Sequence, residues 1–168
     1  EVLFDAQIKF LNPGTGAIVT DGTDSIFLYT KADLSGLAVG DYVVVSGKRA
    51  AYNGAPQIGS PVITLKGTGK YEYQAESKTL AEINALDSTD IKNFGRVFKV
   101  EGTIVASDKY VNISSDGVVY SLYLSSADKE LLANYKDKTV EICVLTYNYN
   151  SKTKLYNFFA ITSTVVEK

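Results

Sequence analysis

Short alternating runs organise this chain. Val, Ile, Tyr, Phe and Thr recur at every second position over stretches of roughly five to ten residues, and Gly, Asn, Asp and Ser separate those stretches. A period of two sends successive side chains to opposite faces of a sheet, so the pattern predicts a mainly β protein with short helices. In the first half it predicts strands over 2–11, 16–20, 25–30, 41–51 and 57–66. Asp21-Gly22 and Tyr52-Asn53-Gly54 lie between runs and suit tight hairpins, because Gly and Asn tolerate the positive φ such turns demand. Between the third and fourth runs, Leu34 and Leu37 within residues 31–40 predict one helical turn.

The second half repeats the plan, with strands expected over 96–107, 109–114, 118–125, 139–148 and 154–166. Asp116-Gly117 follows Asp21-Gly22 by 95 positions, Asp137 follows Asp41 by 96, and Tyr149-Asn150 follows Tyr52-Asn53 by 97. Landmarks in the same order at a slowly growing offset point to duplication of one module. Here the helical piece is clearer, since Ser125 to Asp128 resembles a capping box and precedes Leu131, Leu132 and Tyr135. Three strands, a helix and two strands is the order of the OB fold. The expected architecture is therefore two tandem five-stranded OB-fold barrels, over 1–66 and 95–168, joined by an ordered linker over 67–94. In that linker Tyr71 and Tyr73 alternate like an exposed strand, and Thr79-Leu80-Ala81-Glu82 opens a helix expected to cover the open end of the second barrel.

Composition narrows the chemistry. The chain has no His and one cysteine, Cys143, so zinc sites, Ser-His-Asp triads and Cys-His dyads lack their imidazole, and no disulfide forms within the chain. Catalysis, a metal and a cofactor are not expected. Asp21, Asp24 and Asp33 do not have the spacing of an EF-hand loop and are assigned to hairpins and caps. Net charge is −2, and the only arginines are Arg49 and Arg96, which disfavours strong nucleic-acid binding. No apolar run reaches the roughly 18 residues of a membrane-spanning helix. A chain starting on Glu1 and lacking Met is expected to be a processed or excised piece of a longer precursor with other domains.

Several stretches carry a resemblance. Residues 17–29 (Ala-Ile-Val-Thr-Asp-Gly-Thr-Asp-Ser-Ile-Phe-Leu-Tyr), residues 37–47, Tyr52-Asn53-Gly54 with Gln57-Ile58, Thr79 to Asn84, Val97 to Thr103 and Lys154 to Ala160 resemble tandem OB-fold modules of exported Bacteroidetes-type envelope proteins. Related OB domains are attached to secreted bacterial nucleases. The resemblance implies an exported location, as a surface or outer-membrane lipoprotein or a secreted protein. It implies a non-catalytic binding or scaffolding module, and as a second reading a single-stranded nucleic-acid-binding accessory region of a secreted nuclease.

OB barrels bind ligands across strands two and three, flanked by the loop between strands one and two and the hairpin between strands four and five. With Ile18, Ile26 and Leu28 pointing inward, alternation turns Phe27 and Tyr29 outward. In the second half Tyr120, Leu122 and Leu124 point inward, and Tyr110, Asn112 and Tyr123 outward. Tyr52, Asn53 and Tyr149 belong to the hairpins. These eight residues are the candidate contacts for an extended ligand such as an oligosaccharide, a nucleic acid or a protein. The same rings also suit cross-strand pairing or packing against a neighbouring segment, and Asn53 also answers a turn requirement.

Overall fold

The computed structural model describes residues 1–168. The chain divides into two compact units, Glu1–Tyr73 and Gln74–Lys168. Residues 67–94 are therefore shared out, the first few going to one unit and the remainder to the other.

Unit 1 holds β1 (Val2–Asn12), β2 (Gly16–Thr20), β3 (Ser25–Tyr29), β4 (Tyr42–Tyr52) and β5 (Ala55–Gly67). They close into a barrel in the order β1-β2-β3-β5-β4. Every pairing is antiparallel except the seam, where β5 runs parallel to β3 through Phe27/Gln57, Leu28/Ile58 and Tyr29/Gly59. Alternation fills the interior with Ala6, Ile8, Val19, Leu28, Val43, Val45 and Ile58, none more than 7% exposed.

Ile18 does not point inward as expected. Its ladder partner is Phe27, whereas Ala17 pairs with Leu28 and Val19 with Ile26. Paired residues share a face, so Ile18 lies with Phe27 on the outer side. Both are nevertheless buried, Phe27 to 5% exposure.

No helix forms between β3 and β4. Gly36 and Gly40 disfavour one, and the segment builds turns instead. Leu37 N–H donates to Leu34 O at 3.0 Å, and Ala38 N–H to Asp41 Oδ2 at 2.8 Å. Gly40, at φ +100°, then donates to Ile8 O. Leu34 is nevertheless buried and Leu37 packs against the core, as apolar positions of the expected turn would. Residues 70–73 are strapped to the same barrel rather than forming a strand. Gln7 Nε2 donates to Gly40 O and Lys70 O, each at 2.9 Å, and Tyr73 OH donates to Lys9 O at 2.6 Å.

Unit 2 contains β6 (Glu76–Ser77), α1 (Leu80–Asn84), a 3-10 turn (Ile91–Asn93), β7 (Val97–Ala106), β8 (Val111–Ser115), β9 (Val118–Tyr120), α2 (Ser126–Ala133), β10 (Thr139–Asn150) and β11 (Leu155–Glu167). The predicted capping box at Thr79 and Glu82 is present in both directions, and Leu80 and Ile83 of α1 are fully buried. Ser125 caps α2, its Oγ accepting the Asp128 N–H, and Leu132 of that helix is fully buried.

The second expected barrel does not close, and its strands form a six-stranded sheet instead. The sheet runs β11-β10-β7-β8-β9, with β6 added parallel to β7. β9 ends at Tyr120 instead of continuing to 125, because Asn112 Oδ1 accepts the Leu122 N–H at 3.1 Å and diverts it from the ladder. The outer strands then meet only at an isolated parallel bridge, Leu122 to Phe158. There Phe158 N–H donates to Ser121 O at 3.0 Å and Tyr123 N–H to Phe158 O at 2.8 Å. Tyr120 lies inward, edge-on to Phe158 at 6.1 Å.

Gly16 tests the first barrel's geometry. Its φ is +147°, and a Cβ there would lie 1.8 Å from Leu28 O and 3.0 Å from Phe27 Cζ. Gly16→Ala must push β2 from β3, and we expect a loss of at least about 3 kcal/mol in chemical denaturation. A loss under about 1 kcal/mol would show that the β2–β3 contact is not tight.

Candidate functional site

In unit 2 the early end of β9 leaves a cleft of about 450 Å³ beside β8 and the start of α2. Lys109, Tyr110, Asn112, Ser121, Tyr123, Ser126 and Lys129 line it, with Val111, Leu122 and Leu124. Three residues predicted from two strands, Tyr110 and Asn112 from one and Tyr123 from the other, thus converge on one site.

Each has a local reason for its position. The loop from β7 to β8 is a tight turn, in which Ser107 Oγ accepts the Tyr110 N–H at 3.2 Å and Ser107 N–H donates to Tyr110 O at 2.8 Å. That turn leaves the Tyr110 ring 64% exposed. Tyr123 stands edge-on to Tyr147 at 5.1 Å, and Tyr147 stacks on Phe159 at 4.3 Å. Asn112 spends its carbonyl oxygen on Leu122, which leaves its amide hydrogens for the cleft. The lysines were not read from the sequence. Lys129 lies in the first turn of α2 and its Nζ donates to Lys109 O at 2.5 Å, tying helix to loop. A capped helix start beside a loop was the available signal, but only the fold brings Lys109 and Lys129 together. The lining is rich in donors and contains no carboxylate.

The other predicted residues do not join this cleft. Tyr149 is half-buried and packs edge-on to Tyr156 at 5.1 Å. Tyr156 is deeply buried, which pushes its phenol up to about 12. In unit 1 Tyr29 and Tyr52 are exposed, and Asn53 (φ +47°) with Gly54 (φ +78°) forms the hairpin turn. Phe27 is expected on the outer surface and does lie on that face, but its burial removes it from ligand contact.

Unit 1 has its own cleft of about 450 Å³, lined by Asp5, Gln7, Thr20, Asp21, Tyr42 and Lys66 among others, but its polar groups are spent internally. Lys66 pairs with Asp5 at 3.2 Å. Asp21 accepts the N–H groups of Thr23 and Asp24 at 2.8 and 2.9 Å, and these bonds hold its carboxyl below the usual range. Asp33 likewise accepts the Ser35 N–H at 2.9 Å.

No protein-family model and no curated protein matches the chain. Among solved structures, a murine DNA-binding protein bound with double-stranded DNA aligns over 100% of this chain and 98% of its own, at 9% identity and a TM-score of 0.43. The Ifi202 HINa domain in complex with a 20-bp double-stranded DNA aligns over 100% and 95%, at 10% identity and TM-score 0.43. A structure described as structural mimicry for functional antagonism aligns over 100% and 92%, at 10% identity and TM-score 0.45. Likeness at this level assigns no ligand to this chain. The expectation that strong nucleic-acid binding is disfavoured is corrected on charge placement, since the unit 2 cleft brings Lys109 and Lys129 together without a carboxylate. That expectation rested on total charge, and total charge says nothing of local clusters such as Lys109 with Lys129.

One buried cation stands apart from these clefts. Lys9 is the extra residue of a bulge in β1, only 8% exposed, with Nζ 3.1 Å from Ser25 Oγ and 5.9 Å from the centre of the Tyr71 ring. Burial lowers its pKa from 10.5 to about 8. Between those values the unfolded chain holds a proton that the folded chain has released, so stability rises with pH there and its cost is full below about 8. We expect wild type to gain on the order of 2 kcal/mol relative to Lys9→Met between pH 7.5 and 10, measured by urea denaturation. Parallel profiles for the two proteins would show that Lys9 is well solvated.

Proposed function

We propose that this chain is a non-catalytic binding module of two OB-type units, working in the cell envelope or outside the cell of a bacterium. The cleft of unit 2 is its ligand site. One observation carries this reading: Lys109, Lys129, Tyr110, Tyr123 and the Asn112 amide converge there without any carboxylate. A lining of donors asks the ligand for acceptors, and two cations favour a negative charge. Exposed tyrosine faces add stacking for a flat or ring-shaped group. The ligand is therefore a ring-bearing anion.

The non-catalytic part of the reading rests on side-chain chemistry. The chain has no imidazole, and its one thiol, Cys143, is buried in β10 with its backbone N–H donating to Thr164 Oγ1 at 2.9 Å. The exported setting rests on the resemblance carried by residues 17–29 and 37–47 and by the strands of the second half. Tandem OB architecture is supported by the shared strand order of the two units and by the narrow Leu122–Phe158 bridge, which sits where β3 meets β5 in unit 1.

Backbone amide shifts of the full chain should locate the site. Titration with a single-stranded oligonucleotide and with an acidic oligosaccharide should move Tyr110, Asn112 and Tyr123 in at least one series. The double substitution Lys109→Ala with Lys129→Ala should weaken that binding about tenfold at low salt and flatten its salt dependence. If neither anion moves the cleft at low salt, the assignment fails.

A further inference from the structure

The buried amine of Lys9 has no counter-charge. Lys66, Lys78 and Lys138 each meet a carboxylate within 3.2 Å, whereas Lys9 forms no salt bridge. Burial alone lowers its pKa to about 8, so near that pH a large share of it is the neutral amine with a lone pair to offer. A desolvated amine of this kind costs stability, and such groups are concentrated where chemistry uses them.

Its hydrogen-bond partner is a hydroxyl. Lys9 Nζ lies 3.1 Å from Oγ of Ser25, the first residue of β3. Ser25 is only half-buried, so a small reagent reaches it while the amine stays shielded. The β2–β3 hairpin fixes it in place, because Thr20 pairs with Ser25 in the ladder and its Oγ1 donates to Asp24 O at 2.7 Å. Nζ also lies 5.9 Å from the centre of the Tyr71 ring, whose face stabilises an ammonium when one forms. Tyr73 stands edge-on to Tyr71 at 5.4 Å and is fastened to Lys9 O, which holds both rings over this part of β1.

We infer that Ser25 and Lys9 form a nucleophile–base pair that takes an acyl group from an activated ester or thioester. Ser25 Oγ adds to the acyl carbon while Lys9 Nζ takes the hydroxyl proton. The bond to the leaving group then breaks, and that group departs with the electron pair and receives the proton from the Lys9 ammonium, directly or through water. Ser25 is left as an ester and Lys9 as the amine. Serine with lysine is a recurring way to activate a hydroxyl where no imidazole is present. The event is stoichiometric and not turnover. Hairpin N–H groups that could hold an oxyanion are engaged, Gly22 with Thr20 Oγ1 at 3.0 Å, and Thr23 and Asp24 with Asp21 Oδ1 at 2.8 and 2.9 Å. Without them only a donor with a good leaving group reacts, and the ester is slow to hydrolyse. This site belongs to unit 1 and does not rest on the cleft of unit 2.

The test is incubation of the full chain with p-nitrophenyl acetate at about pH 8, with acetylated positions read by peptide mass spectrometry. Ser25 should be acetylated at least about a hundredfold faster than the exposed Ser35 and Ser151, as general-base assistance allows. A fast release of one p-nitrophenol per chain should accompany it and vanish in Ser25→Ala. Lys9→Met should remove the advantage of Ser25 with amide dispersion unchanged. If Lys9→Met loses dispersion, Lys9→Arg serves as the second variant, since it keeps a charged donor but cannot accept a proton. An acetyl group on Lys9 in place of Ser25 overturns the pair, because the amine is then itself the nucleophile. Ser25 reacting no faster than Ser35 overturns it too, as does undiminished acetylation of Ser25 in either folded Lys9 variant. None of these outcomes depends on whether an anion moves Tyr110, Asn112 and Tyr123.

Discussion

Closure of a five-stranded sheet constrains unit 1. Five strands joined mostly by hairpins can become a cylinder only if two of them finally meet in parallel, a slightly weaker pairing than the antiparallel ladders. In unit 1 three residue pairs make that seam, and Leu28 with Ile58 carries the core across it. In unit 2 one bridge and two hydrogen bonds between residues 121–123 and Phe158 make the corresponding contact. The strength of this seam decides whether the outer face is continuous sheet or opens into a cleft.

Asn112 shows how one side chain shifts that balance. By taking the Leu122 N–H, it ends β9 after three residues and lets the chain leave the sheet early. The freed segment carries Tyr123 and Leu124 to the rim, and Ser125 then caps α2, which brings Lys129 to the loop of Lys109. Unit 1 has no such diversion. Its β3 pairs along its whole length with β2 and over Phe27 to Tyr29 with β5, and the outer ring of Phe27 is buried. A common strand order therefore presents two different surfaces.

Much of the fold was legible because turn chemistry and alternation are local. Asp116 and Gly117 take the positive φ their hairpin needs, as do Asn53 and Gly54, and the strands on either side begin within two residues of their predicted ends. The capping box at Thr79 and the cap at Ser125 located both α-helices, whereas Leu34 and Leu37 suggested a third that Gly36 and Gly40 disfavour. Alternation also fails at bulges. The extra residue at Lys9 fits the actual pairing of Phe10 with Ile18, and Ile18 faces outward with Phe27. Nothing in a local window reveals that diversion of Leu122 by a side chain ten residues earlier.

The candidate sites divide along the same line. Tyr110, Asn112 and Tyr123 were readable because outward aromatic and amide positions follow from strand parity. Lys109 and Lys129 were not, since their role depends on which loops and helices become neighbours. Parity assigns a face but not what covers that face, which is why Phe27 is on the predicted side and still inaccessible. Glycine illustrates the converse. Gly16 and Gly59 are both single glycines in predicted strands, yet one is demanded by φ and by a backbone oxygen 1.8 Å from its would-be Cβ. The other is at ordinary contact distance from Lys48 O and Ala50 Cβ, so neither φ nor packing requires it.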